Sequence, residues 1–160
     1  MFAGPGSLRR INGGFALSAS ENRKIVQYVF DEMAKGNSAP LLQSLADDFR
    51  FVVTGSSKWA RSYDGKAVVL AELFAPLRAA IEGNITTIPV RLIAEGDHVV
   101  VECRGRNTTK QGQSYNNVYC NVLRLEGGKL KEWTEYADSA LVNAVLGDPK
   151  ETLTEIVAAG

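Results

Sequence analysis

Ahead of Ile85 the apolar residues of this chain recur at helical intervals, and from Ile85 onward they alternate. Ile25, Val26, Val29, Phe30 and Met33 form one stripe. Ser18-Ala19-Ser20-Glu21 has the spacing of a capping box, so a first helix is predicted from near Ser18 to Gly36. A short second helix is predicted over 40–47, with Ser38 as cap, Pro40 in the first turn and Leu41, Leu42 and Leu45 on the buried side. Residues 49–54 read as a strand and 55–63 as a loop. A third helix carries apolar positions from Val68 to Ile81, with Asp64 as its cap, Gly83 as its stop and Pro76 as a kink. Turn signals at Glu95-Gly96-Asp97, Gln111-Gly112-Gln113 and Glu126-Gly127-Gly128 then divide the remainder into four strands of an antiparallel meander. Pro89 puts the first of these at an edge or a bend. A short helix after Asp138 closes the domain.

The predicted class is α+β: a cone-shaped, strongly curved antiparallel sheet packed against three N-terminal helices, with a short C-terminal helix. The cone domain spans residues 21–147. Residues 1–20, rich in glycine and without a sustained apolar period, read as a disordered lead-in, and 148–160 as a mobile or weakly helical tail.

Alternation also sorts side chains by face, because residues two apart on a strand point the same way. Trp133, Glu135 and Ala137 share one face. Asn117, Tyr119 and Asn121 share another, opposite Val118, Cys120 and Val122, and Glu102 and Arg104 lie together opposite Val101 and Cys103. A set rich in Glu, Arg, Asn, Tyr and Trp can be a solvated surface. Three helices that need a sheet face to cover favour a different expectation, in which this polar set lines a concavity and the apolar set is free to bury against a second subunit.

Composition narrows the partners. Eighteen basic and eighteen acidic residues leave no net charge, and no Lys/Arg block suggests a phosphate-binding stripe, so nucleic acid is not an expected partner. Apolar runs fall well short of the ~20 residues of a membrane span. Cys103 and Cys120 are too few for a disulfide framework, and with a single histidine, His98, they make no metal site; two reduced cysteines suit a cytoplasmic location. Nothing in the sequence calls for a metal or a cofactor.

The segment Gln113-Ser114-Tyr115-Asn116-Asn117, the strand end Leu123-Arg124-Leu125, and Gly127-Gly128-Lys129-Leu130-Lys131-Glu132-Trp133-Thr134-Glu135-Tyr136-Ala137-Asp138 resemble the C-terminal half of SnoaL-like proteins of the nuclear transport factor 2-like superfamily. Ketosteroid isomerases and limonene-1,2-epoxide hydrolase belong to the same superfamily. The resemblance runs from about Asn22 to Leu146 and implies a cone with an apolar pocket, commonly a homodimer through the outer sheet face. It is specific for the fold and weak for the reaction.

Carried over by position, the resemblance puts a catalytic Asp of the epoxide hydrolase at Glu135 and its Arg-x-Asp pair on Glu102 and Arg104, in reversed order. Its water-positioning Tyr and Asn fall on Phe51 and Val53. The general-base Asp of ketosteroid isomerases also falls on Val53, their oxyanion-stabilising Asp on Asn121, and their helix-one Tyr near Tyr28. In SnoaL-type polyketide cyclases a late acidic residue acts as acid/base, and Glu135 is its counterpart.

A carboxylate enclosed by Trp133 and aliphatic side chains is costly to ionise, so Glu135 is expected to titrate near neutrality, where a general acid or base works best. Arg104 and Glu102 are the expected assistants, or else a structural ion pair, and Asn121 an oxyanion donor. Trp133, Tyr119, Asn117, Phe51, Val53, Trp59 and Tyr28 are the expected ligand contacts. Asp138 reads as a helix cap. Two functions are compatible with this set: a cofactor-independent acid/base enzyme of isomerase, cyclase or epoxide hydrolase type acting on a small apolar molecule with a carbonyl, hydroxyl or epoxide group, or a non-catalytic ligand-binding or dimerisation module.

Overall fold

The structure, a computed structural model, describes residues 10–11, 14–15 and 17–158. Of the expected lead-in, residues 1–9, 12–13 and 16 lie outside the described residues; Arg10–Ile11 and Gly14–Phe15 pair as a short antiparallel ladder.

Helix α1 (Ala19–Met33) is capped as its sequence predicts: the Glu21 backbone N–H donates to Ser18 Oγ at 3.2 Å, and the Ser18 N–H donates to Glu21 Oε2 at 2.8 Å. Its buried stripe is Val26, Val29 and Phe30. Asn22, also buried, donates from Nδ2 to the Gly96 carbonyl at 3.2 Å and so ties the helix to a turn of the sheet. Helix α2 (Ala39–Ser44) ends earlier than expected, because Leu45 already has extended backbone and begins strand β1 (Leu45–Val53).

An edge strand, β2 (Arg61–Asp64), lies in the stretch expected to be loop, pairing antiparallel with β1. Asp64 does not cap the next helix. It belongs to β2 and takes the Arg50 guanidinium at 2.8 Å, while Gly65, with φ of +97°, makes the turn into the helix. Helix α3 covers residues 66–80 as an α-helical turn (Lys66–Val69), a π-helical stretch (Leu70–Phe74) and an α-helical segment (Ala75–Ala80). The π stretch explains how Pro76 is tolerated. The Ala75 N–H reaches back to the Leu70 carbonyl, five residues away, so the hydrogen-bond register has widened just before the residue that has no N–H to give.

The four predicted meander strands are β3 (Thr87–Glu95), β4 (His98–Gly105), β5 (Val118–Glu126) and β6 (Lys129–Ala137). Between β4 and β5 the chain makes a separate small ladder of Asn107–Thr108 with Ser114–Tyr115. The main sheet has the order β2-β1-β6-β5-β4-β3, antiparallel throughout except that β1 runs parallel to β6. Pro89 is on the edge strand β3 beside a break in register between Pro89 and Arg91, and β6 has another between Leu130 and Glu132. Such bulges bend a sheet and increase its twist. Helix α1 lies against β3 and β4. The core forms between helices and inner sheet face from Val26, Phe30, Phe49, Val99, Val101 and Leu123.

Asp138 caps helix α4 (Ser139–Leu146), accepting from the N–H groups of Ala140 (2.9 Å) and Leu141 (3.2 Å). The tail expected from residue 148 is helical: α5 (Pro149–Ala158) packs on the end of α3. No helix among the described residues is long and apolar enough to cross a membrane.

Candidate functional site

Between α2, α3 and the inner face of the sheet lies a cavity of about 370 Å³, a volume typical of small-molecule sites. Leu41, Leu73, Leu77, Ile81 and Ile85 form much of its wall. Its exposed lining residues, Ser38, Leu42, Ala75 and Arg78, place the mouth between α2 and the second half of α3. Phe51, Tyr115, Tyr119, Asn121, Trp133 and Glu135 line it from the sheet side.

Register decides which side chains meet there. Opposite residues of antiparallel strands point to the same face, and β6 pairs with β5 so that Glu135 opposes Asn121 and Trp133 opposes Leu123. On β4, Val101 opposes Asn121 and Cys103 opposes Tyr119. The parallel strand β1 sets Phe51 beside Trp133, and their rings stack at 5.3 Å between centroids with 21° between planes. Phe30 adds a tilted contact to Trp133 at 5.4 Å, and Phe74 stands edge-on to Phe51 at 6.0 Å. Trp133 is therefore clamped by α1 on one side and β1 on the other.

Asn121 has a defined amide orientation. An indole N–H can only donate, and Trp133 Nε1 donates to Asn121 Oδ1 at 3.0 Å. The Asn121 Nδ2 group then faces Cys103, donating to Sγ at 3.1 Å. One amide hydrogen is left over. Burial pushes the Cys103 thiol up to about 12, so at neutral pH it stays protonated and is no nucleophile.

The Glu135 backbone is pinned by Thr54, whose N–H and hydroxyl both donate to its carbonyl at 3.1 and 2.8 Å. Its carboxyl lines the cavity and makes no ion pair among the described residues. Burial alone raises it to about 7. The side chain retains partial accessibility, consistent with a group that meets solvent only by way of the pocket. Burial also drives the Tyr115 and Tyr119 phenols upward, and both feel the Glu135 charge. At neutral pH the site thus combines a carboxyl that gains or loses a proton readily with neutral O–H and N–H donors.

The sequence-predicted site residues fall into two groups. Glu135, Asn121, Trp133, Tyr119 and Phe51 come together around the cavity. Glu102 and Arg104 do not: they oppose Cys120 and Val118 in the ladder, are exposed, and lie on the outer face of the sheet, where Glu102 pairs with Arg91 at 3.3 Å. They cannot touch a group held by Glu135 through the thickness of the sheet. Asn117 is buried but serves as a joint, donating to the Asp138 carbonyl at 3.2 Å and accepting the Asp138 N–H at 3.1 Å. Val53 is buried beside Glu135 in register without lining the cavity. Trp59 is a strut, its indole N–H donating to the Gly147 carbonyl at 3.1 Å, and Tyr28 is on the exposed side of α1. Tyr115 and Arg78 line the cavity and were not anticipated. Tyr115 belongs to the small ladder and continues the buried alternation of Asn117, Tyr119 and Asn121, a signal that could have found it, and Arg78 looks like an ordinary exposed helical arginine until the fold sets it at the mouth.

A second, more open depression of about 570 Å³ lies on the outer face, near Arg91, Glu102, Arg104, Val118 and Tyr136. It lacks the enclosure that shifts Glu135. Among the described residues no group of three or more His, Cys, Asp or Glu side chains is placed to hold a metal ion.

Fold and pocket together define a nuclear transport factor 2-like cone. Residues 26–133 match the SnoaL-like domain model, and the chain belongs to that family. It is similar to a nuclear transport factor 2-like protein from Burkholderia xenovorans LB400, with 24% identity over 81% of this chain and 98% of the other and a TM-score of 0.64. A protein from Jannaschia sp. CCS1 described as a SnoaL-like polyketide cyclase shares 18% identity over 81% and 93% of the two chains, with a TM-score of 0.66. A ketosteroid isomerase-like fold from Catenulispora acidiphila DSM 44928, solved with trimethylamine, shares 21% identity over 80% and 95%, with a TM-score of 0.63. No curated protein matches the sequence.

Proposed function

We propose that the protein is a cofactor-independent enzyme of isomerase or cyclase type, in which Glu135 moves a proton on a small apolar substrate bearing a carbonyl or hydroxyl group. The observation that carries this reading is a carboxyl raised to about 7 by burial alone at the sheet side of an apolar cavity. Such a group can take a proton from carbon next to a carbonyl and return it elsewhere at neutral pH. Tyr119, Tyr115 and the spare amide hydrogen of Asn121 would stabilise the oxygen on which charge develops, and the Phe51–Trp133 stack would hold a flat ring. Hydrolysis of an epoxide is less well supported, since Glu102 and Arg104 are on the outer face and apolar Phe51 and Val53 stand where the water-positioning residues fall in the epoxide hydrolase.

Solvent-deuterium exchange into 2-tetralone, followed by proton NMR, tests the reading. The wild-type protein is expected to accelerate loss of the proton signals next to the carbonyl, and Glu135→Gln to leave the uncatalysed rate. Equal rates for the two proteins remove the acid/base role. The alternative, ligand binding without turnover, is favoured by Asn121, whose oxygen and one of whose hydrogens are already engaged; it predicts saturable binding with no exchange.

The assembly proposed is a homodimer through the outer face, where Val90, Ile93, Val118 and Tyr136 are each more than half exposed. Sedimentation at micromolar concentration is expected to give twice the chain mass of 17.3 kDa and Tyr136→Lys to give the monomer; a monomeric wild type contradicts it. A cytoplasmic location remains part of the proposal, resting on the two free cysteines.

A further inference from the structure

Among the described residues only two charged side chains line the cavity, Glu135 on the sheet and Arg78 on α3. Their settings differ. Glu135 is the group that burial holds near neutrality, whereas Arg78 is exposed at the mouth. Arg78 follows Leu70 and Phe74 at intervals of four along the helix, and all three line the cavity, so the guanidinium continues an apolar row toward solvent. Among the described residues Arg50, Arg61, Arg91 and Arg124 each hold a carboxylate, and Arg78 holds none. Its fork of donors stands at the mouth of a pocket whose walls, Glu135 aside, are otherwise apolar or neutral among the described residues.

A ligand entering this pocket meets opposite electrical conditions at its two ends. An anionic group carried inward would face a carboxyl that is already costly to ionise, and would make that ionisation costlier still. The same group left at the mouth meets a planar cation suited to a carboxylate. An amine is opposed at the mouth. The arrangement therefore selects both charge and direction.

We infer that the ligand is an apolar carboxylic acid, bound with its carboxylate on Arg78 and its uncharged oxygen directed to Glu135. This rests on the reading of the Glu135 cavity as the ligand site and adds to it the substrate class and the specificity-determining residue. Arg78 binds and orients without taking part in the proton transfer.

The experiment is isothermal titration of 6-hydroxy-2-naphthoate and of 2-naphthol, at low ionic strength and pH 7.5, into the wild type, Arg78→Gln and Arg78→Lys. A charge-assisted pair at a partly exposed site should give the acid an advantage of about tenfold over the phenol in the wild type. In Arg78→Gln that advantage is expected to vanish while 2-naphthol binding stays unchanged. Arg78→Lys is expected to keep part of it. Equal affinities in the wild type, or an advantage that survives Arg78→Gln, overturns the carboxylate assignment and leaves the Glu135 pocket standing. Failure of both probes to bind a protein whose circular dichroism is that of the folded state overturns the pocket reading, and the carboxylate assignment with it.

Discussion

Glu135 and Asn121 occupy opposed positions on neighbouring antiparallel strands, so the acid that burial raises to about 7 sits beside an amide whose orientation is fixed by an indole. The proton-transfer group and its nearest sheet donor are thus set by backbone pairing, while the donor's direction depends on the Trp133 N–H. That dependence has a measurable consequence.

Asn121→Leu removes the partner that a buried indole N–H has among the described residues, and an orphaned buried donor costs about 1–3 kcal/mol. Urea denaturation is expected to show a loss in that range. Combined with Trp133→Phe, which deletes the donor as well, the double variant should lose less than the sum of the two singles. Strict additivity would mean that the two side chains are not coupled.

Stability should also depend on pH through Glu135. Its carboxyl is raised from an ordinary 4.5 to about 7, so between these values the folded protein holds a proton that the unfolded chain releases. The stabilisation from the protonated form is complete below about 4.5 and is lost as pH rises toward 7. For Glu135 the loss is on the order of 3 kcal/mol at most. Glu135→Gln does not titrate, so its stability relative to wild type is expected to improve from pH 5 to pH 8 in urea melts. A constant difference across that range contradicts the raised carboxyl.

Glu102→Gln and Arg104→Gln should each leave pocket binding of 2-naphthol unchanged and alter stability by no more than about 0.5 kcal/mol, as expected for exposed charges. A change in pocket affinity would mean that the outer face communicates with the cavity.

The contrast between these residues and Glu135 shows what the sequence carried. Within one strand, alternation is local and unambiguous, which is why Trp133 and Glu135 were placed together correctly, and the capping box at Ser18 is equally local. Between strands, the shared face depends on register. Whether Asn121 looks across at Val101 or at Glu102 is decided by where the chain reverses between β4 and β5, since one register runs unbroken from Val101–Asn121 to Asn107–Tyr115, and alternation within a strand does not encode that point. Sorting by polarity therefore put Glu102 and Arg104 inside. Asn117 is on the same buried alternation as Asn121 but makes no cavity wall, because it spends its side chain on the Asp138 backbone. Pro76 signalled trouble in α3, but the widened turn that resolves it depends on hydrogen-bond register, which periodicity does not encode. The family resemblance supplied the cone; the lining of the cavity by Arg78 came only with the packing of α3 against the sheet.

The central claim is that Glu135 is an acid of near-neutral affinity inside this cavity. Its side-chain carboxyl carbon, observed by NMR in protein labelled with carbon-13 glutamate and assigned by its absence in Glu135→Gln, reports that directly. The account predicts a titration midpoint at about 7, and a midpoint at the ordinary value of 4.5 would contradict it.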